Sequence, residues 1–168
     1  ESSVIYLKGE SCQNIYLDWK AVQESTRRKL PFGIAQIGKA FRNEINVKNY
    51  LFRTRELEQM DTQYFCKPAE ADGFYSEWKQ YHWDYYTKFL GIPENKLRWR
   101  QHTKDEQAFY AKDAWDVEYD YEGLGFKEIE GVHHRGSYDL DQHSQFSGQD
   151  LSYFDQETNE RFNPYIVE

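Results

Sequence analysis

The sequence has no apolar run long enough to cross a bilayer as a helix. No basic, apolar, small-residue leader opens it, so no secretory signal is visible. Only two cysteines occur, Cys12 and Cys66, far apart and with no motif around them. They read as reduced thiols of an intracellular protein rather than as a disulfide. Internal repeats and low-complexity segments are missing as well. So is any positive excess: the net charge of −8 argues against a protein that binds nucleic acid over its whole surface.

What is present is enough for one domain with a sizeable core, at 168 residues. Hydrophobic residues make up 39% and charged residues 30%, a globular balance. Aromatics reach 18%, and most of those rings are expected in the core. The basic residues are unevenly spread. Arg27 to Arg55 holds eight of them and a single acid, Glu44, whereas the rest of the chain has 13 basic and 28 acidic residues. A basic island in an acidic chain focuses an anion onto one place.

That island lies in a predicted pair of antiparallel strands, about Ile34 to Ile45 and Tyr50 to Phe65, with Asn46 to Asn49 as the loop tip. Alternation puts Gly38, Ala40, Arg42 and Glu44 on one face of the first strand, and Ile37, Phe41 and Ile45 on the other. In the return strand Arg53, Arg55, Leu57, Gln59 and Asp61 share a face. Arg42, Arg53 and Arg55, with Glu44 and Asp61 beside them, read as a phosphate-binding platform.

Around this pair the chain alternates helix and strand. Val4 to Leu7 reads as a short strand, and Cys12 to Arg27 as a helix with Ile15, Trp19 and Val22 facing the core. Arg27, Arg28 and Lys29 suit that helix's C-terminal end. A second helix is predicted over Phe74 to Leu90, with Phe74, Trp78, Tyr81, Tyr85 and Phe89 as its core stripe. Leu97 to His102 reads as a strand, and Thr103 with Glu106 as the capping box of a short helix reaching Lys112. Trp115 to Glu122 alternates as a half-buried strand and pairs with Phe126 to His133 as a hairpin. Glu128 and Glu130 fall on one face there, a spacing that could hold Mg²⁺ or could be an exposed acidic edge. His133, His134 and His143 fit no usual zinc spacing, and no metal role is expected for them. A short helix is expected near Leu140, and two short strands flank the turn Gln156 to Glu160. The whole reads as α+β, an antiparallel β-sheet with flanking helices.

The segment KLPFGIAQIGKAFRNEI followed by LFRTRELEQMD strongly resembles motif 2 of the class II aminoacyl-tRNA synthetases, most closely the homodimeric glycyl type. The stretches AKDAWDVEY and KEIEGVHHRGSYDLDQHSQFSGQDLSYFD agree in order, so the likeness covers nearly the whole chain. The resemblance implies a partial class II catalytic core over residues 1–168, with a helical insertion at 69–112. Motif 1, most of motif 3 and the anticodon-binding domain are expected outside the chain, which by itself is expected to be inactive. The implied activity is ATP-dependent formation of glycyl-adenylate and its transfer to the 3′ end of tRNA(Gly). ATP and Mg²⁺ are the implied cofactors, with a homodimeric, cytoplasmic longer protein.

The resemblance also implies roles. Arg42 would bind and stabilise the ATP α-phosphate, Glu44 would hold the adenine amino group, and Arg53 would contact ATP. Leu57 stands where the family packs a phenylalanine on adenine. Glu128 would face ATP and its Mg²⁺, with Glu130 a weaker partner for the ion. Glu10, Asp61, Arg135 and Glu168 would line the glycine pocket. Arg27, Arg28, Lys29 and Lys48 would meet the tRNA acceptor end by charge alone. Four departures stand out: GESCQ for PETAQ, Leu57 for phenylalanine, Asp61 for glutamate and Phe109 for histidine. Leu57 and Asp61 favour an alternative, a non-catalytic synthetase-like accessory or nucleic-acid-binding protein. Intact Glu10, Arg42, Glu44 and Arg53 oppose it.

Overall fold

The computed structural model describes residues 4–48 and 50–168. Asn49, at the expected loop tip, lies outside the described residues. Three helices and eight strands are named here: α1 (Cys12–Thr26), β1 (Phe32–Phe41), β2 (Glu56–Cys66), α2 (Ala71–Asp84), β3 (Leu97–Gln101), β4 (Asp113–Tyr121), β5 (Gly125–Gly136), α3 (Tyr138–Ser147), β6 (Tyr153–Asp155), β7 (Glu160–Phe162) and β8 (Tyr165–Val167). Six strands hydrogen-bond in the order β1-β2-β8-β5-β4-β3, and β6 pairs with β7 apart from them. The expected α+β class with an antiparallel sheet and flanking helices is what the structure has. No helix among the described residues is long and apolar enough to cross a membrane.

The chain forms two compact units, Glu1–Arg28 with Gly33–Gln63, and Lys29–Phe32 with Tyr64–Glu168. In the first, α1 buries Ile15, Tyr16 and Trp19. Burying an aromatic of that size stabilises by roughly 3 kcal/mol. The helix closes where Arg27 turns left-handed at φ 53°, and the Arg28 N–H reaches back to the Gln23 carbonyl at 3.2 Å. Both expected strands are shorter than the pattern implied. Arg42, Glu44, Arg53 and Arg55 lie in the connection between β1 and β2, not in the strands. Charged residues at a hairpin's open end lose nothing by leaving the ladder for water. Val4 to Leu7 is exposed and forms no strand.

The second unit is built on β3, β4, β5, β8 and the end of β2. Its core lies under α2, where Tyr75, Val132 and Val167 are buried with Phe74, Trp78, Trp99 and Trp115 packed against them. The predicted aromatic stripe of this helix is therefore turned. Tyr75 is the buried ring, while Tyr81 and Phe89 are 68% and 77% exposed. Helix α2 runs into a π-helical turn, Tyr85–Phe89. Residues 69–112 hold α2 but also β3, the last strand of the sheet order. Thr103 to Lys112 makes turns rather than a helix, although Glu106 accepts from the Thr103 N–H at 3.1 Å as the capping pattern required. The chain's tail adds β8 to the two strands expected there.

Candidate active site

In the first unit the Arg42–Arg55 connection is tied by its own backbone. The Arg42 N–H donates to the Arg55 carbonyl at 2.9 Å, and the Lys48 N–H to that of Arg53 at 3.2 Å. Glu44 sits among cations: its carboxylate is 3.8 Å from Arg53 Nε, and its carbonyl accepts from Arg55 Nε at 3.0 Å. Arg42, Arg53 and Arg55 are exposed. A cluster of guanidinium forks in water next to one carboxylate suits a polyphosphate bearing a ring.

Strand β2 runs on from this cluster with the predicted alternation. Leu57, Gln59, Asp61 and Gln63 point inward, while Glu56, Glu58 and Met60 are exposed. Gln59 Oε1 accepts from the Ser11 N–H at 3.1 Å, which brings the Glu10–Ser11 peptide against the inward face of β2. Glu10 in turn accepts from Gln13 Nε2 at 3.2 Å. Asp61 is 6% exposed, and its carboxylate is propped from behind. Gln63 Nε2 donates to it at 2.5 Å, and Tyr16 of α1 donates to Gln63 Oε1 at 2.7 Å. Sequence reasoning found Asp61 but missed Gln63 and Tyr16. Their signal is a polar pair on faces that alternation and helical spacing assign to the core.

In the second unit Arg135 is 3% exposed and forks onto Asp139, at 2.9 and 3.0 Å. Its Nη1 donates to Glu168 at 2.7 Å, and its guanidinium lies 4.2 Å above the Tyr110 ring. His133 adds an Nδ1 contact of 2.9 Å to the same Glu168 oxygen. Burial works to raise the Glu168 carboxyl, but the His133 hydrogen bond and the Arg135 charge outweigh it and hold it at about 2. Asp139, His133 and Tyr110 carried no motif signal in this role. Phe109, the replacement for a family histidine, is 83% exposed and packs edge-on against Tyr138.

Glu128 and Glu130 do not share a face, contrary to the sequence expectation. Glu130 pairs with Val117 and Glu128 with Glu118, leaving Ile129 as the extra residue of a β-bulge. Val117 and Glu118 are neighbours on β4 and point to opposite faces, so their partners do too. Glu130 turns toward α2, where His82 Nδ1 stands 2.6 Å away. Glu128 is exposed on the other face. The two carboxylates therefore cannot hold one ion together. Of the four cations expected to meet tRNA, all are exposed, and Lys29 pairs with Glu157 at 3.2 Å.

Two groups make this unit acid-sensitive. Glu168 has a folded value below its ordinary 4.5, so its contribution is complete above that pH and is lost as pH falls toward 2. His134 is buried, and burial pushes it below its ordinary 6.5; its contribution likewise falls as pH drops. The Gly136 N–H donates to His134 Nδ1 at 3.2 Å, so the ring proton is on Nε2, facing Asp72 at 3.2 Å. Urea unfolding between pH 6 and pH 3 is expected to show a loss of roughly 2 kcal/mol from Glu168. Glu168→Gln should flatten that part of the curve, and an unchanged slope would contradict the assignment.

A family model described as tRNA synthetase class II core domain (G, H, P, S and T) matches residues 1–168. A glycine–tRNA ligase of Treponema denticola is 55% identical over 168 residues, covering 99% of this chain and 37% of that protein. One from Streptomyces coelicolor is 46% identical, over 99% of this chain and 36% of its own length. The chain thus spans a little over a third of the curated relatives it matches. A prolyl-tRNA synthetase of Cryptosporidium parvum, solved with L-proline and AMP, aligns with a TM-score of 0.69 at 15% identity, over 94% of this chain and 32% of that one. That likeness is one of fold.

Proposed function

The chain belongs to the class II tRNA synthetase core family, and from that premise we propose that it is the glycine-activating part of a glycine–tRNA ligase. The observation that carries this reading is β2. One inward face joins an exposed cluster of arginines to a buried carboxylate propped by Gln63 and Tyr16. The connection before the strand supplies cations for a triphosphate, and the strand supplies an anion for an ammonium group. The relatives at 46 to 55% identity support glycine as the amino acid.

In the proposed reaction the glycine carboxylate attacks the α-phosphate of ATP, forming glycyl-adenylate and releasing pyrophosphate. The adenylate then acylates the terminal ribose of tRNA(Gly). Catalysis is by positioning and charge stabilisation, without a covalent enzyme nucleophile. Arg42 offers its fork to the α-phosphate, Arg53 binds ATP, and Glu44 accepts from the adenine amino group. Leu57 covers the adenine ring without stacking on it. Glu10 and Asp61 receive the glycine ammonium. The Arg135 guanidinium already serves Asp139 and Glu168, so its role is to position Glu168. Mg²⁺ is commonly held by one or two carboxylates plus substrate phosphates. Glu128 is the carboxylate here that fits, and the ion would offset the charge of the leaving pyrophosphate. Arg27, Arg28, Lys29 and Lys48 are the proposed acceptor-end contacts. The longer protein is proposed to be a cytoplasmic homodimer.

The test is glycine-dependent exchange of labelled pyrophosphate into ATP by the longer protein. Exchange with glycine and none with alanine or proline is the expected result. A folded protein without exchange would leave the accessory, non-catalytic reading in its place.

A further inference from the structure

A second cluster of chemistry-bearing groups lies in the second unit, on the face of β3–β4–β5 opposite α2. The strand register builds it. Ala114 is opposite His133 and Asp116 opposite Gly131. Gln101 is opposite Trp115, and the next residue, His102, donates its N–H to the Ala114 carbonyl at 3.0 Å. Two histidines thus flank an alanine, with an aspartate beside a glycine. The small residues leave the space into which the rings lean.

The His102 and His133 rings stand 6.0 Å apart, and His102 Nε2 lies 2.7 Å from Asp116 Oδ2. One donor atom from each of His102, Asp116 and His133 lies within 4.8 Å of the other two. A methyl group at Gly131 would meet His133 Nε2 at 2.8 Å and Asp116 Oδ1 at 3.6 Å, which locates that nitrogen beside that carboxylate. The other ring nitrogen, Nδ1, is 2.9 Å from Glu168. A neutral His133 must put its proton on Nδ1 to satisfy Glu168. Its Nε2 lone pair then faces a carboxylate, acceptor against acceptor, and something positive belongs between them. A ligating histidine whose second nitrogen donates to a carboxylate is the usual outer arrangement of a metal site. Asp116 is also 3.5 Å from Arg100 Nη1, whose guanidinium is shared with Glu106.

We infer that His102, Asp116 and His133 form a site for one divalent transition-metal ion, with zinc the best match to two imidazoles and a carboxylate. Three protein ligands leave a fourth position for water. Ligation by His102 Nε2 replaces the hydrogen bond it shares with Asp116, and the ring proton then sits on Nδ1. Nothing in this inference depends on aminoacylation.

The experiment is calorimetric titration of the metal-free full chain with zinc chloride, with cobalt chloride as the spectroscopic probe. One equivalent of zinc, bound at micromolar Kd or tighter, is expected, with visible d–d absorption from cobalt. His102→Asn and Asp116→Asn should weaken binding by about 100-fold, and Glu168→Gln by about tenfold. His143→Ala on α3 should bind as the unaltered chain does. If a variant fails to fold, protection from diethyl pyrocarbonate mapped by mass spectrometry answers instead. Zinc should slow modification of His102 and His133 together. No stoichiometric uptake, or equal modification rates with and without zinc, would overturn the site in favour of an imidazolium at His133 bonded to both carboxylates.

Discussion

Arg42→Ala in the longer protein is expected to lower glycine-dependent pyrophosphate exchange by a factor of about 100 to 1,000, the cost of removing one fixed donor from developing charge. The loss should appear in kcat, since the fork meets its phosphate most strongly in the transition state. Stability should change by less than about 0.5 kcal/mol, because Arg42 is exposed and its tie to Arg55 uses the backbone. Arg42→Lys should recover little, because an ammonium is a point charge and cannot form two parallel bonds. Circular dichroism alongside the exchange assay checks both halves. A folded Arg42→Ala protein that keeps exchange within tenfold would falsify the assigned role.

Arg135→Ala is the largest expected stability effect. The side chain is 3% exposed and Asp139, which it grips twice, is 5% exposed. Truncation leaves that carboxylate buried without its cation, at a cost of about 3–5 kcal/mol. For a chain of this size the unfolding midpoint should drop on the order of 10 °C. Arg135→Ala with Asp139→Ala should be less harmful than the single change, because the stranded charge is gone. A thermal melt within 2 or 3 °C of the unaltered chain, at about 1 kcal/mol, would show that the pair is not holding the turn from β5 into α3.

Alternation made the inward face of β2 legible, because Leu57, Gln59 and Asp61 keep a period of two before the strand becomes buried on both sides at Phe65 and Cys66. Helix α1 was legible because Ile15 and Trp19 are spaced by one turn and both are buried. In α2, adjacent rings defeated the same logic. Phe74 and Tyr75 are both bulky, and only packing against Val132 and Val167 decides that Tyr75 goes in. The arginines of the platform were identified, but their segment was drawn as strand, since sequence does not mark where a ladder gives way to water. The His102, Asp116 and His133 cluster was out of reach for a different reason. Two members lie on β4 and β5 and the third just past the end of β3, and only the register across these strands brings them together.

The bulge at Ile129 has a consequence for insertions and deletions. On both sides of it, β5 already keeps the pairing of a strand one residue shorter. Removing one residue elsewhere in the stretch of β5 paired with β4 would turn the side chains beyond it to the wrong face of that pair. Removing Ile129 would leave Glu128 opposite Glu118 and Glu130 opposite Val117. Among related proteins, a one-residue length difference in the part of this strand that pairs with β4 should therefore fall at this position, because that pairing would not register the change.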